Sequence, residues 1–395
     1  MHSFGFISLQ PDWPIDVANA RNAVDGPHEF WASAYRPGHD SVHRTVRASA
    51  RAAADAQLVS LDVDGGGLHA EYVSARQLRL ACAALDIPPA LFSAPRQTVA
   101  CTHIARGSGV RAFDVSPLGG LLVAGGDDGA LDVYDTEAGT HRVQLAGHLG
   151  DVTCCRFFPS GQVVLSGASD MRVKIWSAAD GSNPVTLVGH TAAVTDLAII
   201  DVGKTVLSAA KDGSVRLWSC GAAECLRTYE LSQMPVNAIC LATSTLAVAC
   251  EDGRVLLLDL DSHQVSAEFG SIGDLPVRAV AYDAQTALLV AGRADGSVCV
   301  WLDGDQKTEF RRGQAPVSAV QLVSRQTGGT PLICVGTEDG QLYLVSLDPD
   351  PEVSEDLVAF DVDPICQIRV TPAVGQGAGR QQVWAAGQDS RVCRF

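Results

Sequence analysis

The chain has 395 residues, of which 47% are hydrophobic and 19% charged, with 38 glycines and a formal net charge of -16. That hydrophobic share excludes a disordered chain, and so many glycines suit short strands joined by tight turns. Residues 1–100 carry 8 basic and 10 acidic side chains and residues 101–395 carry 21 and 35, so the acidity belongs to the larger part, where it disfavours nucleic acid and anionic membrane and favours basic protein partners.

The opening MHSFGFISLQPDW has neither a basic start nor the apolar core of a secretory signal, and no apolar run approaches the roughly 20 residues that a membrane span requires. Residues 3–9 read as a strand. Residues 31–56, polar and poorly periodic, read as a loop leading into a short helix. Residues 57–63 and 67–73 read as two strands joined at Asp64, Gly65 and Gly66. Ser74, with Gln77 three residues on, resembles a capping box that opens a helix through Leu78, Leu80, Ala81 and Leu85 and ends at Pro88 and Pro89. Residues 1–95 are therefore expected to form a small α+β domain.

From Val110 onward one unit recurs: an apolar strand, a glycine turn, a second strand ending in small residues, a turn carrying Asp, and a third strand ending in an aromatic residue or its replacement. His148, Ser166, Asp170 and Trp176 keep the same spacing as His190, Ser208, Asp212 and Trp218, displaced by 42 residues. Four chemically distinct residues held at one spacing, with a period of about 40 to 45 residues, indicate propeller blades. The turn aspartates Asp128, Asp170, Asp212, Asp252, Asp295, Asp339 and Asp389 set the register and count seven blades over residues 96–395. Five of them precede Gly, which accepts the positive φ of a tight hairpin, whereas Met171 and Ser390 stand in the other two. The chain reaches Phe395 at the end of a third strand, so residues 98–104 (TVACTHI) are expected to supply the outer strand of the last blade and cover its open edge.

Ser, His and Asp within reach of one another invite a hydrolase reading. A catalytic site is not normally duplicated at repeat spacing, however, and neither serine lies in a nucleophile elbow. The two tetrads are expected to be buried polar chains that fix blade geometry. Gly125, Gly126, Asp127 and Asp128 make a turn, with neither the strand-to-helix setting of a phosphate loop nor the ligand alternation of a calcium loop. Of the twelve cysteines, no two stand in C-x-x-C spacing, and those in apolar runs read as reduced core residues. No cofactor, metal or catalytic residue is expected. The residues before the turn aspartates, Asp127, Ser169, Lys211, Glu251, Ala294, Glu338 and Gln388, should rim one face. A second candidate contact region is the acidic run 348–363, with Asp350, Glu352 and Glu355, read as a loop between the sixth and seventh blades.

The Gly-His start, the turn Asp and the terminal Trp resemble the WD-repeat family, with Ser177 and Ser219 in place of the Asp that follows its Trp. Within that family, residues 151–177 (DVTCCRFFPSGQVVLSGASDMRVKIWS), KDGSVRLWSCG at 211–221 and LFSAP at 91–95 resemble the proteasomal ATPase-associated factors. The resemblance implies a non-enzymatic assembly chaperone that binds the C-terminal domains of ATPase subunits of the proteasome regulatory particle and leaves before the mature particle forms. A monomer acting in cytoplasm and nucleus is the expectation. The alternatives are a general WD-repeat scaffold, such as a ubiquitin-ligase substrate receptor, and an enzyme working in the pore of the propeller. The latter would need clustered His or carboxylates in the inner strands, where the sequence shows only isolated Asp and Arg.

Overall fold

The computed structural model describes residues 2–22, 24, 26–52, 57–104, 109–270, 274–324, 330–361, 363–372 and 381–395. The chain is mainly β. Residues 112–144, 152–188, 194–230, 236–269, 277–311 and 317–357 each form a four-stranded antiparallel unit in which every strand lies beside its neighbour in sequence. A further sheet combines Ile365–Pro372, Gln381–Gly387 and Arg391–Arg394 with Gln97–Ala100 from the far end of the chain. The pairing with Arg391–Arg394 ends at Ala100, and Cys101 to Ile104 turn away, with Ile104 N–H donating to the Cys101 carbonyl at 3.1 Å.

The burial pattern follows from the packing. Second strands such as Thr205–Ala210 and Thr245–Cys250 are buried at five successive positions, because sheets press on both of their faces. Outer strands such as Gln264–Phe269 are largely exposed. The innermost strands touch in succession, and Ile365–Pro372 touches Ala112–Val115. The core is correspondingly divided into clusters lying between adjacent sheets. Where turn glycines are missing, the backbone is unchanged: Met171 has φ 66° and Ser390 φ 64°, beside 79° at Gly213.

The N-terminal region differs from its sequence reading in three places. Residues 31–56 hold no helix among the described residues; Glu29–Tyr35 and Val42–Ala52 are strands, joined with Phe6–Leu9 and Gln57–Val63 in one sheet. The expected helix after Ser74 is also a strand, Gln77–Cys82, in which Leu78, Leu80 and Cys82 are buried in alternation. A short 3-10 turn, Ala83–Leu85, leads from it into the strand Ile87–Ser93, which contains both prolines. The α-helix lies earlier, at Trp13–Arg21, with Pro14 in its first turn and Trp13, Val17 and Ala20 buried.

Strand Ile87–Ser93 joins this region to the sixth repeat. Leu91, Phe92 and Ser93 pair in parallel with Glu355, Asp356 and Leu357, extending that sheet to seven strands. The acidic run is thereby corrected: Glu352–Leu357 is an outer strand, not a loop. A second parallel contact sets His2 and Ser3 beside Phe310 and Arg311 of the fifth repeat. Between the two junctions, Arg312 is buried against Asp356, with its guanidinium 4.7 Å from the Tyr343 ring centroid and 5.3 Å from that of Phe6.

Candidate functional site

In the second repeat the chain enters its sheet through His148, whose ring is held between two elements. His148 Nδ1 lies 3.0 Å from Asp170 Oδ2, and Nε2 lies 2.7 Å from Ser166 Oγ. Trp176 Nε1 donates to the same Ser166 oxygen at 2.7 Å. A carboxylate only accepts and an indole N–H only donates, so one proton arrangement satisfies every group: Trp176 N–H to Ser166, Ser166 O–H to His148 Nε2, and His148 Nδ1–H to Asp170. Backbone N–H groups of Leu149 and Arg172 complete the Asp170 shell at 3.0 and 3.1 Å.

The third repeat copies this arrangement. His190 lies 2.9 Å from Asp212 and 2.7 Å from Ser208, and Trp218 donates to Ser208 at 2.8 Å. Burial pushes both imidazoles below their ordinary value of 6.5, with the aspartates opposing. Burial pushes Asp212 up, but hydrogen bonds from Thr191, Ser214 and His190 outweigh it and bring the carboxyl down to about 2. Ser166 and Ser208 are both fully buried, and each oxygen already receives an indole proton. A nucleophile needs an approach path, and neither serine has one.

Among the described residues the other repeats keep only fragments. In the fourth, Ser232 stands where His would and donates to Asp252 Oδ2 at 3.0 Å, and the Arg254 guanidinium donates to the same oxygen at 2.7 Å. In the last sheet the indole belongs to Trp384 of the second strand and donates to Thr371 at 3.1 Å.

The isolated Asp and Arg of the inner strands are brought together around a central cavity of about 440 Å³. Arg369 Nε lies 3.1 Å from Asp114, and Arg156 Nη2 lies 2.6 Å from Asp196. The second oxygen of each aspartate accepts a backbone N–H from the following sheet, Phe157 at 2.6 Å and Ile239 at 3.0 Å. These carboxylates therefore tie neighbouring sheets together at the centre. Sequence reasoning missed this because the partners are some 40 or 255 residues apart.

The rim positions are backbone equivalents: the N–H groups of Ser169, Lys211, Glu251, Ala294, Glu338 and Gln388 each donate to the loop entering their own inner strand, at 2.9 to 3.1 Å. Their side chains differ in freedom. Asp127 is hydrogen-bonded by Arg111, and Glu251 accepts from Asn237 at 2.7 Å with Arg278 at 3.7 Å. Lys211 and Glu338 are exposed. Asp350 and Glu352 are exposed too, but Glu355 points at the N-terminal region and accepts the Ser93 hydroxyl. Burial raises its carboxyl.

The family described as WD domain, G-beta repeat matches residues 98–135, 139–177, 181–219 and 268–301. "Proteasomal ATPase-associated factor 1" of Homo sapiens is 28% identical over 159 residues, covering 39% of this chain and 36% of that protein, so the match spans little more than a third of the relative's length. "Probable proteasomal ATPase-associated factor 1" of Dictyostelium discoideum is 38% identical over 298 residues, covering 66% of this chain and 70% of that protein. The chain belongs to the family of proteasomal ATPase-associated factors. Both complete tetrads of this family member fall inside matched repeats, 139–177 and 181–219. The match beginning at residue 98 starts within Gln97–Ala100, the strand that completes the last sheet.

Proposed function

We propose that this protein is a non-catalytic scaffold for assembly of the base of the proteasome regulatory particle, binding the C-terminal domain of an ATPase subunit. The observation that carries the reading is the 38% identity with the Dictyostelium relative over most of that protein's length. In this reading residues 1–95 are an α+β domain and residues 96–395 a seven-bladed propeller closed through residues 97–100. The two buried tetrads serve geometry rather than catalysis, and no cofactor takes part. The monomer works in cytoplasm and nucleus, where the acidic surface of the repeats steers a basic partner face onto the rim.

Asp127, Lys211, Glu251 and Glu338 are the rim residues assigned to that contact, with Asp350 and Glu352 at the side. Because rim charges act mainly on association rate, neutralising Glu251 and Glu338 together should slow binding to isolated ATPase C-terminal domains more at about 0.1 M than at about 1 M salt. Affinity capture from lysate followed by mass spectrometry tests the function itself. Recovery of base ATPases without the complete proteasome is the expected result; recovery of a cullin-type ligase instead would replace the reading with a substrate receptor.

A further inference from the structure

The seam between the N-terminal region and the last sheet carries a surface unlike the rest of the chain. Two clefts meet there, of about 840 and about 420 Å³, and they share Ala75, Arg76 and Ala94. They therefore adjoin along these three residues. The larger cleft is lined on its apolar side by Pro11, Pro14, Ile15, Trp31 and Pro95. Ile15 is 61% exposed and Trp31 39%, and two large apolar side chains flanked by prolines in a concavity are the makings of a partner contact rather than scattered surface residues.

The smaller cleft is lined by Arg76 and Arg96. Behind this cleft, burial and the like charges of Arg96 and Arg76 hold the Arg394 guanidinium below its ordinary value, with Glu137 opposing. The Arg394 guanidinium lies 5.5 Å from the Trp384 ring centroid, and the Arg96 N–H donates to the Arg394 carbonyl at 2.6 Å. The acidic residue lining this cleft is Glu355, which accepts the Ser93 hydroxyl and is also within the field of Arg96. Two exposed arginines thus face one carboxylate in this cleft, a local positive excess in a chain whose net charge is -16. The larger cleft is balanced by contrast, with Arg76 and Arg391 facing Asp12 and Asp361. Charge therefore fixes the direction of an occupant.

The geometry points to a docking groove for an acidic peptide segment of a partner protein, its carboxylates over Arg76 and Arg96 and an adjoining aromatic or branched apolar residue against Trp31 and Ile15. Such a site follows the usual logic of arginine clusters for acidic motifs beside an apolar anchor pocket. It is independent of the rim and of the ATPase reading, since it selects the opposite charge.

The test is fluorescence anisotropy of a labelled peptide of four glutamates followed by a phenylalanine and a leucine, titrated with the full-length protein. Saturable binding that weakens between about 0.05 M and about 0.3 M salt is expected. Arg76→Glu/Arg96→Glu should weaken it by about tenfold or more, Trp31→Ala should weaken it at both salt concentrations, and Lys204→Glu, at an exposed position on the third repeat, should leave it unchanged. A twin peptide with glutamines for glutamates should not bind. Absence of saturable binding by the unaltered protein overturns the proposal, as does undiminished binding by the double variant. Should the double variant melt early, the single Arg96→Gln, at an exposed position, is read in its place.

Discussion

Ser166 Oγ stands 2.7 Å from both the Trp176 indole nitrogen and His148 Nε2, so one buried hydroxyl links the third strand of its repeat to the loop entering the first. Removing His148 would leave Asp170 and Ser166 each short of a partner, at a cost of about 1 to 3 kcal/mol for an unsatisfied buried group. His148→Ala should lower the urea midpoint accordingly. Ser182→Ala, whose hydroxyl bonds Asp180 in an exposed turn, should fall within about 0.5 kcal/mol of the unaltered protein. Coincident unfolding curves for the two variants would mean that the network contributes nothing.

The same histidines set a pH dependence. Their folded-state values lie below 6.5, so the unfolded chain binds protons more readily. Stability should be fully present above the unfolded value and decline as pH falls through it towards the folded one. The lowered carboxyls of Asp170 and Asp212 act in a separate, more acidic window, where stability is lost as pH falls below about 3.8, for Asp212 down to about 2. The measurement is the urea midpoint at pH 7.5 and 5.5. The unaltered protein should lose more on acidification than His148→Gln/His190→Gln, which starts less stable; equal losses would count against buried neutral imidazoles.

The repeats were legible because the tetrads and the turn aspartates stand at fixed chemical spacing, which needs no knowledge of pairing partners. The N-terminal region offered no such ruler. Leu78, Leu80 and Cys82 alternate at the period of a strand, but the apparent capping box at Ser74 and Gln77 and the prolines at 88 and 89 mimicked the two ends of a helix. The prolines are tolerated because they lie at the start of their strand, where a register shift between Leu80 and Cys82 leaves them out of the ladder. In Val42–Ala52 the buried positions include the small Ala48 between exposed Arg47 and Ser49, so alternation in polarity was faint. The helix Trp13–Arg21 did carry a signal, Pro14 in the first turn with Trp13, Val17 and Ala20 on one face. The role of Glu352–Leu357 could not be read locally, since its partner strand lies some 260 residues earlier.

Two of the repeat turns that carry Asp hold a non-glycine residue at positive φ next to it, Met171 and Ser390, and that conformation costs about 1 to 2 kcal/mol for an L-residue. Met171→Gly relieves it at a residue that is 42% exposed. After the entropy glycine adds to the unfolded chain, a net gain of about 0.5 to 1 kcal/mol is expected. The reverse exchange should be worse than neutral. A Cβ at Gly213 would lie 2.1 Å from the Ser232 carbonyl oxygen, so Gly213→Ala must displace the chain entering the fourth repeat. Thermal melts of both variants check the signs, which should be opposite.

Arg312 and Asp356 form a buried ion pair where the fifth repeat, the sixth repeat and the N-terminal region meet. Arg312→Ala would strand a carboxylate that burial already pushes up, a loss of about 3 to 5 kcal/mol. Replacing both by apolar residues, as in Arg312→Met/Asp356→Leu, should recover most of it. Urea denaturation distinguishes the two cases: a double variant as weak as the single one would show that shape, not charge, governs this junction.

Truncation separates the two tasks of the chain before the first repeat sheet. Removing residues 1–95 takes away the strand that covers Glu352–Leu357 but keeps Gln97–Ala100 on Arg391–Arg394. The repeats should then remain folded and unfold cooperatively, while the bared backbone donors and acceptors of Glu352–Leu357 invite self-association, an edge hazard only partly offset by its own acidic side chains. Removing residues 1–104 also strips the fourth strand from the last sheet, uncovers Val392 and Trp384, and takes away Cys101 and Ile104 from the same apolar cluster. That version should lose cooperative unfolding or fail to accumulate in soluble form. Light scattering and calorimetry on the two truncations decide the matter: equal behaviour would show that the pairing of residues 97–100 with the last sheet is dispensable to the ring.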